Sequence, residues 1–202
     1  MPRKNRSGEM KGRILDAYFS CMRRKNLTDC SIREIAQEAG VPSGSVLYYF
    51  ESKENLIVAC LDRIYEGYIQ AAHAWAESIG PEIDTFPLFF AAYAELMKQY
   101  EKYETEFYAS SSYSVIYHVY DEYPKVKSAY LQNTEALIQE YVLAVSRTKL
   151  TCKDPHSLGL ALIGMHEGFS QICVSTGSSQ TYLSLINMLN GMISGVEAIE
   201  KA

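Results

Sequence analysis

Apolar residues recur along this chain at three- and four-residue intervals almost throughout, the period of an α-helix that buries one face. No useful length of sequence alternates apolar with polar, and no long internal repeat is visible. The pattern predicts an all-α protein. Gly40-Val41-Pro42, Gly80-Pro81, Pro87, Pro124, Asp154-Pro155 and the Ser175–Ser179 run break it. A first helix is expected over about 8–26, with Ile14, Leu15, Tyr18, Phe19 and Met22 inward. Arg23, Arg24 and Lys25 would fill its last turn, where cations suit the helix dipole. Ser31 and Glu34 read as a capping box. They open a short helix with Ile32, Ile35, Ala36 and Ala39 inward, and Gly40 is its C′ residue. Pro42 sits where a second short helix can begin, over about 43–50, burying Val46, Leu47 and Phe50. Ser52 can cap a long helix of 53–78, whose inner stripe is Leu56, Ile57, Cys60, Leu61, Ile64, Tyr65 and Tyr68. Further helices are expected near 83–107, 111–121, 124–149, 155–174 and 180–200, the fourth of them capped by Asp154 with Pro155 at its first position.

Two short helices joined by a glycine turn, after a longer one, have the form of a helix-turn-helix inside a three-helix unit. In that arrangement the second short helix lies in the DNA major groove. A generic helical hairpin at the start of a bundle has the same periodicity, so the pattern alone leaves both open. The net charge of −5 over 202 residues at first argues against nucleic acid. Its distribution changes that: residues 1–53 hold ten Lys/Arg against six Asp/Glu, a net +4, and residues 54–202 hold nine against eighteen, a net −9. An anion-binding head on an acidic body would look like this, and so would chance clustering. Cys21, Cys30, Cys60, Cys152 and Cys173 are odd in number and form no CxxC pair, which points to buried thiols in a reducing cytoplasm. No apolar run is long enough to span a membrane, and the basic first residues lack the apolar core of a secretory signal.

From Ser31 to Leu56 the residues resemble the DNA-binding domain of tetracycline-repressor-like (TetR/AcrR) transcriptional regulators. The positions that carry the resemblance are Ser31, Arg33, Ile35, Ala36, Ala39, Gly40, Val41, Gly44, Ser45, Tyr48, Tyr49, Phe50, Ser52, Lys53, Glu54 and Leu56. Pro42 replaces a common helix-capping serine, and Leu47 stands where many members carry tyrosine. The resemblance implies a three-helix head over 1–52, joined by a long helix to a helical-bundle ligand-binding and dimerisation domain over 53–202. It also implies DNA-contacting roles for Ser31, Arg33, Ser43, Gly44, Ser45, Tyr48, Tyr49 and Lys53. The chemistry suits those roles. Hydroxyls, Lys53 and helix N-termini can donate to phosphates. Gly44 lets the backbone approach, Arg33 can reach a guanine edge, and the two tyrosines can lay rings on sugars or thymine methyls. Structural duties compete with these: Ser31 as a cap, either tyrosine as packing.

The acidic body carries two further patterns. Its last two expected helices are apolar on more than one face. In 155–174, Leu158, Ala161, Leu162, Met165, Phe169 and Ile172 make one stripe, while Leu160, Ile163, Gly164 and Gly168 lie partly outside it. In 180–200, Leu185, Met188, Met192 and Ile199 flank a second apolar set. Burial on both sides implies a partner subunit, with Leu160, Gly164, Gly168, Leu185, Met188, Met192 and Ile199 in a four-helix homodimer interface, the arrangement the resemblance also implies; burial within one subunit is the rival reading. Nine tyrosines between 93 and 130 suit a pocket for a small lipophilic effector. The candidate lining is Tyr93, Tyr108, Tyr117, His118, Tyr130, Thr134, His166 and Phe169, residues that equally suit a core. No histidine has a glutamate three positions before it, as a helical di-metal site needs, and HExxH, P-loop, GxSxG and dinucleotide fingerprints are missing. No enzyme activity, metal or cofactor is therefore expected. The function expected is a dimeric, cytoplasmic regulator, most readily a repressor, that binds a palindromic operator in double-stranded DNA and is released by the effector. A DNA-binding regulator without a ligand, or an activator, is the alternative.

Overall fold

The computed structural model describes residues 3–22, 24–25, 29–107 and 122–176, with Asn187 and Gly191. Among them are seven helices and no strand: α1 (Arg3–Met22), α2 (Ile32–Ala39), α3 (Ser43–Phe50), α4 (Lys53–Ser78), α5 (Phe86–Phe107), α6 (Pro124–Arg147) and α7 (Pro155–Thr176). The chain divides into two compact units, one of Met1–Tyr65 with Thr105–Asn133, the other of Glu66–Glu104 with Thr134–Ala202. The helix expected over 111–121 lies outside the described residues, and so does that over 180–200 apart from Asn187 and Gly191.

In the first unit α1, α2 and α3 pack on one another. Ile14, Tyr18, Ile35, Val46 and Leu56 are wholly buried there. Helix α1 ends at Met22, short of the expected 26, and begins at Arg3. Arg24 and Lys25 lie past its end because their charges have partners on α2. Arg24 Nη2 meets Glu38 Oε2 at 2.8 Å, and Lys25 Nζ meets Glu34 Oε1. Ser52 caps α4 as expected, accepting the Asn55 N–H at 3.1 Å. The start of α6 is held from outside: the Lys125 N–H, which has no partner in its own helix, donates to Glu54 Oε1 at 2.8 Å. Lys125 Nζ donates to Asn55 Oδ1 at 3.0 Å, and Asn133 Nδ2 to Asp62 Oδ1 at 2.8 Å.

The second unit is built around aromatic rings. Trp75 stands edge-on to Phe89, Tyr93 and Tyr141 at centroid distances of 5.7, 6.2 and 6.2 Å. Edge-to-face pairs of this kind contribute beyond their buried area. Their polar tips are satisfied: Trp75 Nε1 donates to Ala92 O at 3.0 Å, Tyr93 Oη to Leu162 O at 2.9 Å, and Tyr100 Oη to Tyr68 O at 3.2 Å. Gly159 lets α7 approach α6 closely, since a Cβ there would lie 3.1 Å from Ile138 Cγ2. Asp154 caps α7 by accepting the Ser157 N–H at 3.0 Å. Two termini differ from expectation for one reason. The Lys149 N–H donates to Ile83 O at 2.8 Å, so α6 stops at Arg147 and not 149, and Ile83 belongs to the loop before α5 and not to the helix.

Candidate nucleic-acid interface

Helix α2 is fixed at both ends by local chemistry. At its start Ser31 Oγ accepts the Glu34 N–H at 3.2 Å, and Glu34 Oε2 accepts the Ser31 N–H at 3.0 Å and its hydroxyl at 2.8 Å. Both donors of Ser31 are therefore committed to Glu34. Three hydrogen bonds, led by that from Lys25, hold the Glu34 carboxyl down at about 2. At its end Gly40 takes the left-handed conformation, φ 62° and ψ 41°. The Val41 N–H reaches Ala36 O at 2.9 Å and the Gly40 N–H reaches Gln37 O at 3.1 Å, a Schellman turn. The chain then turns through Val41 and Pro42 into α3.

On α3 the buried residues are Val46 and Phe50, one helical turn apart. Burying such side chains stabilises the docking of α3 by about 1.5–3 kcal/mol each. Leu47, expected inward with them, is instead 45% exposed. Position 47 is turned about 100° from Val46, because a helix has 3.6 residues per turn, and so it joins Ser43, Gly44 and Tyr48 on the outer face. Tyr48 is the most exposed large hydrophobic side chain among the described residues, at 79%, and stands edge-on to half-buried Tyr49 with centroids 5.1 Å apart. Ser43, Gly44 and Arg33 are exposed, and Ser45 and Lys53 half-buried. A tight turn at Glu51, the one non-glycine residue with positive φ among the described residues, leads into α4. The Ser52 N–H closes it on Phe50 O at 2.7 Å. All eight positions expected to meet DNA are thus wholly or partly open, and Ser31 serves as a cap as well.

Of the candidate effector-pocket residues, Tyr93, Thr134 and His166 lie in the second unit and Tyr130 in the first. All four are buried. Tyr130 stands edge-on to Tyr65 at 6.2 Å. His166 packs against the rings of Tyr100 and Tyr68, at 5.1 and 5.5 Å. Tyr108, Tyr117, His118 and the Phe169 side chain lie outside the described residues. Sequence reasoning missed Tyr68, Trp75, Tyr100 and Tyr141 as members of this group; the seven-residue spacings 68–75 and 93–100 are the signal that places such rings on one helix face. Of the candidate dimer residues, Leu160 is 53% exposed, and Gly164 and Gly168 are exposed with open space where a Cβ would stand. The stripe expected along α7 is corrected in one respect. Ala161 points outward beside Leu160, while Ile163 and Leu162 are buried. Leu185, Met188, Met192 and Ile199 lie outside the described residues.

A glycine turn between two short helices, with an outward polar and aromatic face on the second, is the arrangement of a helix-turn-helix. Residues 14–60 match the family described as "Bacterial regulatory proteins, tetR family". A Bacillus subtilis (strain 168) relative, "Probable HTH-type transcriptional regulator YttP", is 29% identical over 72 residues. That alignment spans 36% of this chain and only 35% of the relative. Among solved structures, a TetR transcription regulator from Haloarcula marismortui ATCC 43049 superposes with TM-score 0.72 at 17% identity, covering 93% of this chain and 98% of the other. Reduced Escherichia coli NemR gives 0.69 at 17%, covering 91% and 97%. The multidrug binding protein EbrR, in complex with imidazole, gives 0.66 at 22%, covering 96% and 94%. At these identities the structures establish a shared fold.

Proposed function

We propose that this protein is a ligand-responsive transcriptional repressor that binds a palindromic operator as a homodimer and is released by a small lipophilic effector. The observation that carries the DNA part is the outer face of α3. Ser43, Gly44 and Tyr48 are exposed on a short helix whose opposite face is buried, the placement a helix needs to enter a major groove. Ser45, Tyr49 and Lys53 flank it, and Arg33 extends from α2. Hydroxyls and Lys53 meet phosphates, and Arg33 reads a base edge. Ser31 acts through its cap. For the effector part, support comes from the polar-tipped rings around Tyr93 and His166, and from the multidrug binding described for EbrR. For the dimer, it comes from the small and apolar outer face of α7. Buried Cys21, Cys30 and Cys60 suit a reducing cytoplasm, and no helix among the described residues is long and apolar enough to cross a membrane. The effector favours a conformation whose two heads are wrongly spaced for the groove, with α4 as the lever, so effector and operator affinities are reciprocally coupled.

A gel-shift on the promoter beside the protein's own gene tests the reading. A specific, competitor-resistant band is expected, and binding indifferent to sequence sinks the operator claim. Lys53→Ala should weaken all duplexes alike and lower the salt slope by about 0.9. Arg33→Ala should cost about 1–3 kcal/mol on the operator and relax preference at one position.

A further inference from the structure

Arg13 lies on α1, away from the turn in sequence, yet its guanidinium closes on the turn between α2 and α3. Nε donates to Ala39 O at 2.7 Å and Nη2 to Gly40 O at 2.9 Å. These are the carbonyls left over at the C-terminal end of α2 after the Schellman turn has used those of Ala36 and Gln37. A cation there also faces the negative end of the helix dipole. The fit is close: a Cβ on residue 40 would come within 3.1 Å of Nη2. The two carbonyls immediately precede Val41 and Pro42, so the direction in which α3 leaves the turn is referred to α1 through this fork. Two residues earlier on α1, Lys11 Nζ stands 5.8 Å from the centre of the Phe50 ring, at the far end of α3. One turn of α1 thus meets both the turn that leads into α3 and the last residue of α3.

We infer that Arg13 is a positioning residue for sequence recognition: it sets the angle of α3 and touches no DNA itself. The inference rests on the DNA-binding reading above. A bidentate fork onto two backbone carbonyls is a geometry that lysine does not reproduce, and that difference supplies the test.

The full-length protein is first given an operator selected from random duplexes. Its affinity for that operator and for unrelated duplex is then read by fluorescence anisotropy over a range of salt, for wild type, Arg13→Met and Arg13→Lys. Melting curves are recorded alongside. Both variants should lose specific affinity by roughly tenfold or more, the scale of a lost hydrogen bond to a charged group. Affinity for unrelated duplex and the salt slope should stay at the wild-type values. If Arg13→Lys keeps wild-type affinity while Arg13→Met lowers the salt slope by about 0.9, Arg13 is a phosphate contact and the inference is overturned. It is equally overturned if the variants melt lower but keep the wild-type ratio of specific to non-specific affinity. Should Arg13→Met fail to fold, Arg13→Lys carries the same decision. Failure of the underlying reading shows earlier and differently, as wild-type protein that selects no sequence at all.

Discussion

Gly44 sits in the first turn of α3 with nothing within 4 Å of the place a Cβ would take. No neighbour inside the fold therefore requires glycine there, and glycine in a helix costs about 0.5–1 kcal/mol relative to alanine. If the missing side chain serves an approach to DNA, Gly44→Ala separates the two effects: the melting temperature should hold or rise while operator affinity falls roughly tenfold, or 1.4 kcal/mol. Unchanged affinity would remove Gly44 from the contact surface. Glu34 offers a second test at this scale. Hydrogen bonds from Lys25 and Ser31 lower its carboxyl from the usual 4.5 to about 2. A depressed carboxylate stabilises the fold fully above the unfolded value and loses that contribution as pH falls through the folded one. The difference in urea midpoint between wild type and Glu34→Gln should accordingly be constant above about pH 4.5 and shrink towards pH 2. Its size should fall with added salt, because the pair is exposed. A difference that is flat down to pH 2 would mean the capping box does not depend on the charge.

At the scale of elements, the side-chain-capped starts of α2, α4 and α7 are where sequence and structure agree best, and the reason is locality. Ser31 with Glu34, Ser52 with Asn55 and Asp154 with Ser157 each make their bond three residues away, so the pattern is visible in a short window. The discrepancies are tertiary. Arg24 and Lys25 leave α1 for partners on α2, and Lys149 leaves α6 for Ile83; neither choice has a local signature. Leu47 fails for a different reason. In a helix of eight residues, three apolar positions cannot define a face, and neighbours in sequence point about 100° apart. Arg13 reaches across 26 residues to Ala39, a contact no spacing rule announces. The same distance from sequence applies to Gly159, whose lack of a side chain matters only because α6 lies against it. Alanine there would need its neighbours to give by a few tenths of an ångström. Gly159→Val adds bulk that Ile138 and the Tyr141 Cβ cannot yield to, so it should destabilise by about 1–3 kcal/mol, as overpacking does. The reading is a lower urea midpoint with an unchanged m-value. A neutral result would show that the two helices can separate at little cost.

For the whole molecule the question is what covers the outer face of α7. Ser157, Leu160, Ala161, Gly164 and Gly168 recur at three- and four-residue steps and are all exposed. Leu160 alone would be unremarkable, since single exposed leucines are ordinary. Four small residues on the same stripe allow another helix to come near, and the opposite face is already occupied by Leu162, Ile163 and His166. A two-fold partner presenting the same face would bury the stripe against itself. The consequence for function is arithmetic. In the proposed dimer each head alone would read one half-site, and joining two heads would raise the effective concentration of the second into the millimolar range. If the face pairs in this way, tight operator binding depends on it without any DNA contact being altered. Leu160→Glu would place a charge in the proposed interface and its symmetry mate, so light scattering at micromolar concentration should give a dimer for wild type and a monomer for the variant. Operator affinity should fall by roughly a hundredfold or more, while affinity for a single half-site should stay as it was. A Leu160→Glu protein that remains dimeric would place the subunit contact elsewhere. One that is monomeric yet binds the full operator as wild type does would show that recognition is complete in a single head.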